Sequence, residues 1–224
     1  MRFRDRTHAG RLLAALLSEY GDGDVVVLGL PRGGIPVAHQ VAHAIGATLD
    51  VLPVRKLGLP GHEELALGAI APGGVRVVNG SVARASGIGD DAIDALVERE
   101  THELVRQEQL YRGDRAPATL VGKTVILVDD GLATGASMRA AALAAARAAP
   151  REIVVAVPVA ASSTAKALSR DVDRVISLLE PRRFLAVGYW YDDFEPTSDA
   201  EVQALLTSTL NSPNLVTQRR SGPS

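Results

Sequence analysis

The sequence predicts an α/β domain built on a mostly parallel sheet with helices on both faces. Three observations carry that expectation. β-Branched apolar runs recur at VVVLGL (25–30), TVILV (124–128), IVVAVPV (153–159) and VDRVISLL (172–179), and Ala/Leu-rich segments separate them. The runs are nearly continuous in apolar character instead of alternating, as in strands buried on both faces. The length of 224 residues suits one generous domain or a core domain with an insertion.

Asp5 is placed to cap a first helix reaching Tyr20, with Leu12, Leu13, Leu16 and Leu17 on one face. Residues 25–30 form the first strand, PRGG breaks it, and a helix over 35–44 follows with Pro36 in its first turn. LDVLPVRK (49–56) reads as a second strand ending in two positive charges. Residues 57–113 interrupt the rhythm. GLPGHEELALGAIAPGG (57–73) suits a mobile loop or hairpin with the look of a lid, and VRVVN (75–79) an edge or hairpin strand. Residues 90–112 read as a charged helix with Ile93, Leu96, Val97, Leu104 and Val105 as its apolar stripe. Helices over 135–149 and near 164–168 separate the later strands, and SDAE (198–201) matches a capping box before a last helix. The expected organisation is one domain over 1–211 and a disordered tail over 212–224.

Composition narrows the function classes. Hydrophobic residues at 46% fill a core, and a net charge of -2 without a basic block argues against a nucleic-acid surface. With no cysteine, disulfides, thiolate metal sites and cysteine nucleophiles are excluded. MRFRDRTHAG lacks an apolar signal core and no apolar run reaches membrane length, so the expectation is a soluble, cytoplasmic protein that contacts no membrane.

The stretch VILVDDGLATGAS (125–137) carries the chemistry. Asp129 and Asp130 stand side by side where a buried strand ends, and like charges there need solvent, a cation or a polar ligand. In open parallel sheets ligands bind beyond such strand ends. The carboxylates are suited to sugar hydroxyls or a hydrated divalent cation. The small-residue loop opens a helix whose N–H groups are suited to a phosphate. A sugar phosphate satisfies both. A solvated strand end followed by an ordinary turn is the bland alternative.

Competing motifs fail. GKT at 122–124 has Pro117 where a phosphate-binding P-loop needs glycine, and it precedes a strand. No G-x-G-x-x-G opens a helix after a strand. His39 and His43 have metal-compatible spacing without a third ligand, and HEELA at His62 has Ala66 where a zinc protease needs histidine.

With strand, acid pair, loop and helix in order, VILVDDGLATGAS resembles the phosphoribosyl-diphosphate-binding signature of the type I phosphoribosyltransferases. The resemblance implies that family's Rossmann-like fold with a flexible lid (57–113) and a small hood (180–197). It implies Mg²⁺ and transfer of the 5-phosphoribosyl group from phosphoribosyl diphosphate to a nitrogenous base, in a homodimer. Asp129 and Asp130 would serve the ribose hydroxyls and, through them or water, the metal. Gly131, Leu132, Ala133, Thr134, Gly135, Ala136 and Ser137 would hold the 5-phosphate. Arg32, Gly33 and Gly34 of GLPRGG, with Arg55 and Lys56, would receive pyrophosphate. VGYWYD (187–192) looks like the hood segment of hypoxanthine-guanine enzymes, with Phe184, Val187, Trp190 and Asp192 as base-contacting candidates. His62, Glu63 and Glu64 are candidate lid residues. Two departures leave the acceptor open. Ala133 stands where 6-oxopurine enzymes carry an aspartate, as in adenine, uracil and orotate enzymes, and the lid lacks the Ser-Tyr pair of purine salvage enzymes. A non-catalytic regulator sensing phosphoribosyl diphosphate or nucleotide on the same fold is the alternative function.

Overall fold

The computed structural model describes residues 1–210; the tail expected from Ser212 onward lies outside them. Asp5 caps α1 (Arg6–Leu16), its carboxylate accepting the His8 N–H at 2.6 Å. The helix stops short of Tyr20, which lies in a 3-10 turn, Ser18–Tyr20. Leu13 and Leu17 are buried as expected, whereas Leu16 is exposed. The five-residue β1 (Val25–Gly29) leads into α2 (Gly34–Ile45), whose C-terminus is closed by Gly46 in the left-handed region.

The second strand corrects the sequence expectation. β2 spans only Thr48–Val51, and Arg55 and Lys56 begin a new strand, β3 (Arg55–Leu59), in a different sheet. Pro53 lies between the two, where it has no N–H for a ladder. β3, β4 (His62–Ala71) and β5 (Val75–Val78) form an antiparallel three-stranded sheet. The glycine-rich segment is therefore a hairpin rather than a loose loop. α3 (Gly80–Ser86) follows it, and Leu57, Leu67 and Ile70 pack against Ile93, Leu96 and Leu104 of the 23-residue α4 (Asp90–Arg112). Gly68 permits the close pairing of β4 with β5, since a Cβ there would lie 2.1 Å from the Val77 carbonyl oxygen.

The main sheet resumes with β6 (Thr124–Val128), followed by α5 (Ala136–Ala146), β7 (Glu152–Val159), α6 (Ser162–Leu168), β8 (Arg174–Leu179) and α7 (Asp199–Leu210). Its order is β2-β1-β6-β7-β8, with every pairing parallel. Alternate strand residues feed two cores. Val27, Ile126, Val128 and Val154 face α1, α2 and α7, while Val26, Leu28, Val125 and Leu127 face α5 and α6. That two-sided burial explains the continuous apolar runs. Ala69, Ala71 and Val75 of the small sheet rest on Ala140 of α5, which ties it to the main body. Among the described residues no helix is long and apolar enough to cross a membrane.

Pro158 falls within β7, where a proline needs a gap in the ladder. The pairing of β6 with β7 ends at Val128 and Ala156 and returns only as a bridge between Leu132 and Ala160. Pro158 occupies the interval where β6 has peeled away at Asp129 and Asp130.

The packed hairpin makes a measurable prediction. Leu57 is fully buried against α4, so Leu57→Ala should cost about 3 kcal/mol in urea unfolding. A loss below about 0.5 kcal/mol would mean that β3–β5 does not pack as a structural unit.

Candidate functional site

β1 lies between β2 and β6, so the chain runs to one side of β1 and then returns to the other. That reversal is the switch point at which open α/β sheets form ligand crevices. Two turns meet there, Pro31 to Gly34 after β1 and Asp129 to Ser137 after β6. The Leu30 N–H donates to the Val128 carbonyl at 2.9 Å, fastening one to the other.

Glycine is required where the turns touch. A Cβ on Gly33 would lie 2.1 Å from Asp130 Oδ2, and one on Gly34 would lie 2.9 Å from Asp129 Cα. The sequence expectation gave Arg32, Gly33 and Gly34 to pyrophosphate; the Gly34 N–H donates to the Leu30 carbonyl at 2.9 Å. The Pro31–Arg32 peptide is cis.

The two carboxylates are not equivalent. The Asp130 N–H donates to Asp129 Oδ1 at 2.8 Å. Asp130 Oδ2 accepts from Arg6 Nε at 2.9 Å, with only 12% of the arginine and 15% of the aspartate side chain exposed. Arg6 also donates through Nη1 to the Glu195 carbonyl at 2.7 Å, and its guanidinium lies 3.9 Å from the Phe194 ring centroid. The Tyr191 hydroxyl donates to the Asp130 carbonyl at 2.6 Å. Burial raises the Asp129 carboxyl well above the ordinary aspartate range, and the neighbouring Asp130 charge raises it further. Burial also raises Asp130, with the Arg6 cation opposing the shift.

The phosphate-loop candidates divide into an anchor and an open turn. Leu132 is buried, donates its N–H to the Val159 carbonyl at 2.8 Å and accepts from the Ala161 N–H at 2.8 Å. Ala133 and Thr134 are exposed, and Gly135 takes φ +79° before α5 begins at Ala136. The Ala133 carbonyl is held by the Thr164 hydroxyl at 2.6 Å. The amides at the start of α5, including Ser137, form a helix N-terminus suited to an anion.

Gly33, Arg55, Lys56, Asp129, Asp130 and Ser137 line one cavity of about 300 Å³. Arg55 and Lys56 thus reach the crevice from the small sheet rather than from the end of β2. Arg55 is also paired with Glu100 of α4 at 2.9 Å. Arg32 lines a second cavity of about 270 Å³ that shares Arg55 and includes Arg106 and Asp199.

The aromatic segment packs largely on itself. Gly131 accommodates Val187, whose methyl carbon would lie 2.5 Å from a Cβ there. Phe184 and Trp190 are half-buried beside the core of Phe3 and Tyr191. Asp192 pairs with Arg2 at 3.2 Å, and its N–H donates to the Phe3 carbonyl at 2.8 Å. His62 begins β4 and is exposed; Glu63 and Glu64 lie in the same strand, and their side chains are outside what the structure describes. Arg6, Tyr191 and Phe194 were missed by sequence reasoning. Arg6 is 124 residues from Asp130, and nothing in RFRDR announces that contact.

The shifted carboxyl of Asp129 gives a stability prediction. Its folded pKa is raised, so the stability contributed by the protonated form is fully present below about pH 4. That stability is lost as pH rises through the folded value. Asp129→Asn should raise the melting temperature of the ligand-free protein at pH 7 and flatten its fall above about pH 4. A melting temperature at pH 7 lower than that of the wild type would contradict the buried-charge account.

The family model described as phosphoribosyl transferase domain matches residues 6–192. Two Mycobacterium tuberculosis sequences, from strains CDC 1551 / Oshkosh and ATCC 25618 / H37Rv, carry the provisional name of phosphoribosyl transferase and are each 44% identical over 204 residues. The match covers 91% of this chain and 46% of each relative, so the chain spans about half the length of these relatives. The crystal structure of TT1426 from Thermus thermophilus superposes with a TM-score of 0.78 at 44% identity, covering 93% of this chain and 99% of that one. The crevice at the β1/β6 switch point thus lies within a recognised domain, and the chain belongs to the phosphoribosyl transferase domain family.

Proposed function

We propose that the crevice transfers the 5-phosphoribosyl group of phosphoribosyl diphosphate to a nitrogenous base and releases pyrophosphate, with Mg²⁺ as cofactor. The observation that carries this reading is the half-buried acid pair flanked by a helix N-terminus and two cationic side chains in one cavity. A sugar bearing phosphate at both ends matches that arrangement. Carboxylates suit its hydroxyls, the start of α5 suits its 5-phosphate, and Arg55 and Lys56 suit its diphosphate.

The donor set fits Mg²⁺. Among the described residues no group of three or more acidic or histidine side chains forms a cage. Mg²⁺ is commonly held through one or two carboxylates together with substrate phosphates and water. When bound, it would neutralise charge on the diphosphate.

The chain's own residues do the rest. Asp129 and Asp130 orient the ribose and stabilise positive charge at its anomeric carbon as the bond to pyrophosphate breaks. The Gly135–Ser137 turn holds the 5-phosphate so that this carbon stays in line with the acceptor. Such positioning supplies on the order of 7–11 kcal/mol of a barrier in favourable cases. Arg55 and Lys56 receive the departing charge. The acceptor belongs outside the acid pair, toward the 187–195 segment.

Calorimetry tests the donor site. The wild type should bind phosphoribosyl diphosphate in the presence of Mg²⁺, and Asp129→Asn combined with Asp130→Asn should abolish binding. Unchanged affinity would sink the assignment. Ser137→Ala should weaken ribose 5-phosphate binding by about 1 kcal/mol, the value of one lost hydrogen bond. Turnover is tested by pyrophosphate release over a panel of bases, with mass spectrometry of the nucleotide formed. Binding with no turnover on any base would favour a sensor over a transferase.

A further inference from the structure

We propose that Arg6 is a positioning residue of the sugar site, acting through Asp130 to fix one carboxylate of the pair while Asp129 remains the carboxylate available to ribose or cation. The inference deepens the function proposed above and rests on it.

Four contacts converge on Asp130 and its partner. One carboxylate oxygen of Asp130 is taken by Arg6 Nε, and its backbone carbonyl by the Tyr191 hydroxyl. The arginine is itself held against the Phe194 ring and by the Glu195 carbonyl. It cannot swing away without giving up both. A guanidinium is suited to this task because it is planar, permanently charged and offers several donors in fixed directions. Asp129 differs. Its Oδ1 accepts only the adjacent Asp130 N–H, and among the described residues it has no ion-pair partner within 4 Å.

Gly33 supplies an independent geometric sign. A Cβ at that position would lie 2.1 Å from Asp130 Oδ2 and 3.2 Å from Arg6 Nε. The turn after β1 is therefore pressed directly onto the ion pair. Arg6 joins the start of α1, the end of β6 and the 194–195 segment at one point, and the direction of the Asp130 carboxylate depends on all three. Asp129 and Asp130 both line the same cavity. Two neighbouring hydroxyls of a pentose are the ligand chemistry that two carboxylates of fixed separation would recognise.

A double-mutant cycle separates positioning from direct contact. Calorimetric affinities are measured for phosphoribosyl diphosphate with Mg²⁺, and for inorganic pyrophosphate with Mg²⁺ as the sugar-free probe. Melting temperatures are recorded for every variant. Arg6→Gln should weaken phosphoribosyl diphosphate roughly tenfold to a hundredfold, the range for loss of a hydrogen bond to a charged group. Pyrophosphate affinity should change less than about twofold. Arg6→Lys should recover part of the loss, since an ammonium can serve Asp130 but not also the Phe194 face and Glu195 carbonyl.

In the Asp130→Asn background, adding Arg6→Gln should produce no further loss of phosphoribosyl diphosphate affinity. This neutral pair also keeps the test available if Arg6→Gln alone does not fold, because it removes both charges of the ion pair together. Additive losses, or an equal fall in pyrophosphate affinity, would show that Arg6 meets the ligand directly and overturn the inference alone. A wild type that binds pyrophosphate but not phosphoribosyl diphosphate would overturn both this inference and the function it rests on.

Discussion

Two adjacent carboxylates stand half-buried at the end of a fully buried strand, where partial loss of water disfavours their charge. The surrounding architecture meets that constraint. Arg6 supplies a cation to Asp130, the backbone of Asp130 caps Asp129, and Tyr191 ties down the intervening carbonyl. Gly33 and Gly34 let the opposing turn close over them. Such a site trades stability for readiness. Its charge is unfavourable in the protein alone, and under the proposed function a cation or ligand hydroxyl relieves that cost.

The main sheet serves this arrangement. β6 runs straight and apolar until Val128, then leaves its neighbour at the acid pair. Pro158 marks the opposite side of that departure, and Leu132 marks the return to the sheet. The acid pair and Gly131 between them are therefore bounded at both ends by parallel pairing, and the open turn follows Leu132. The small sheet adds cations from a separate layer, and its position is set by apolar contacts with α4 and α5.

Most of this was legible from local patterns. Continuous β-branched runs located the buried strands, and the acid pair with its small-residue turn located the crevice. The errors share a cause. Arg55 and Lys56 were joined to β2 because apolar spacing does not reveal a change of sheet; Pro53 was the available sign of the break. Residues 57–73 allowed either a mobile loop or the hairpin that forms, because their glycines permit hairpin turns and close strand approach as readily as disorder. At Gly33 and Gly34 the sequence marked the turn but not the close approach of the aspartates that their missing side chains permit. Arg6 was illegible, since its value depends on residues 124 and 189 positions away.

Those separations bear on the order in which the molecule is made. During synthesis, α1 is available long before β6, and β6 before Phe194 and Glu195. The partners that hold Arg6 therefore arrive in sequence, and the last of them completes the enclosure only after almost the whole described chain exists. Contacts of this span close large loops and form slowly relative to local ones. A nascent chain ending before that segment would carry Asp130 without its full set of restraints. The enclosure of Arg6 is thus complete only once the 194–195 segment has been synthesised.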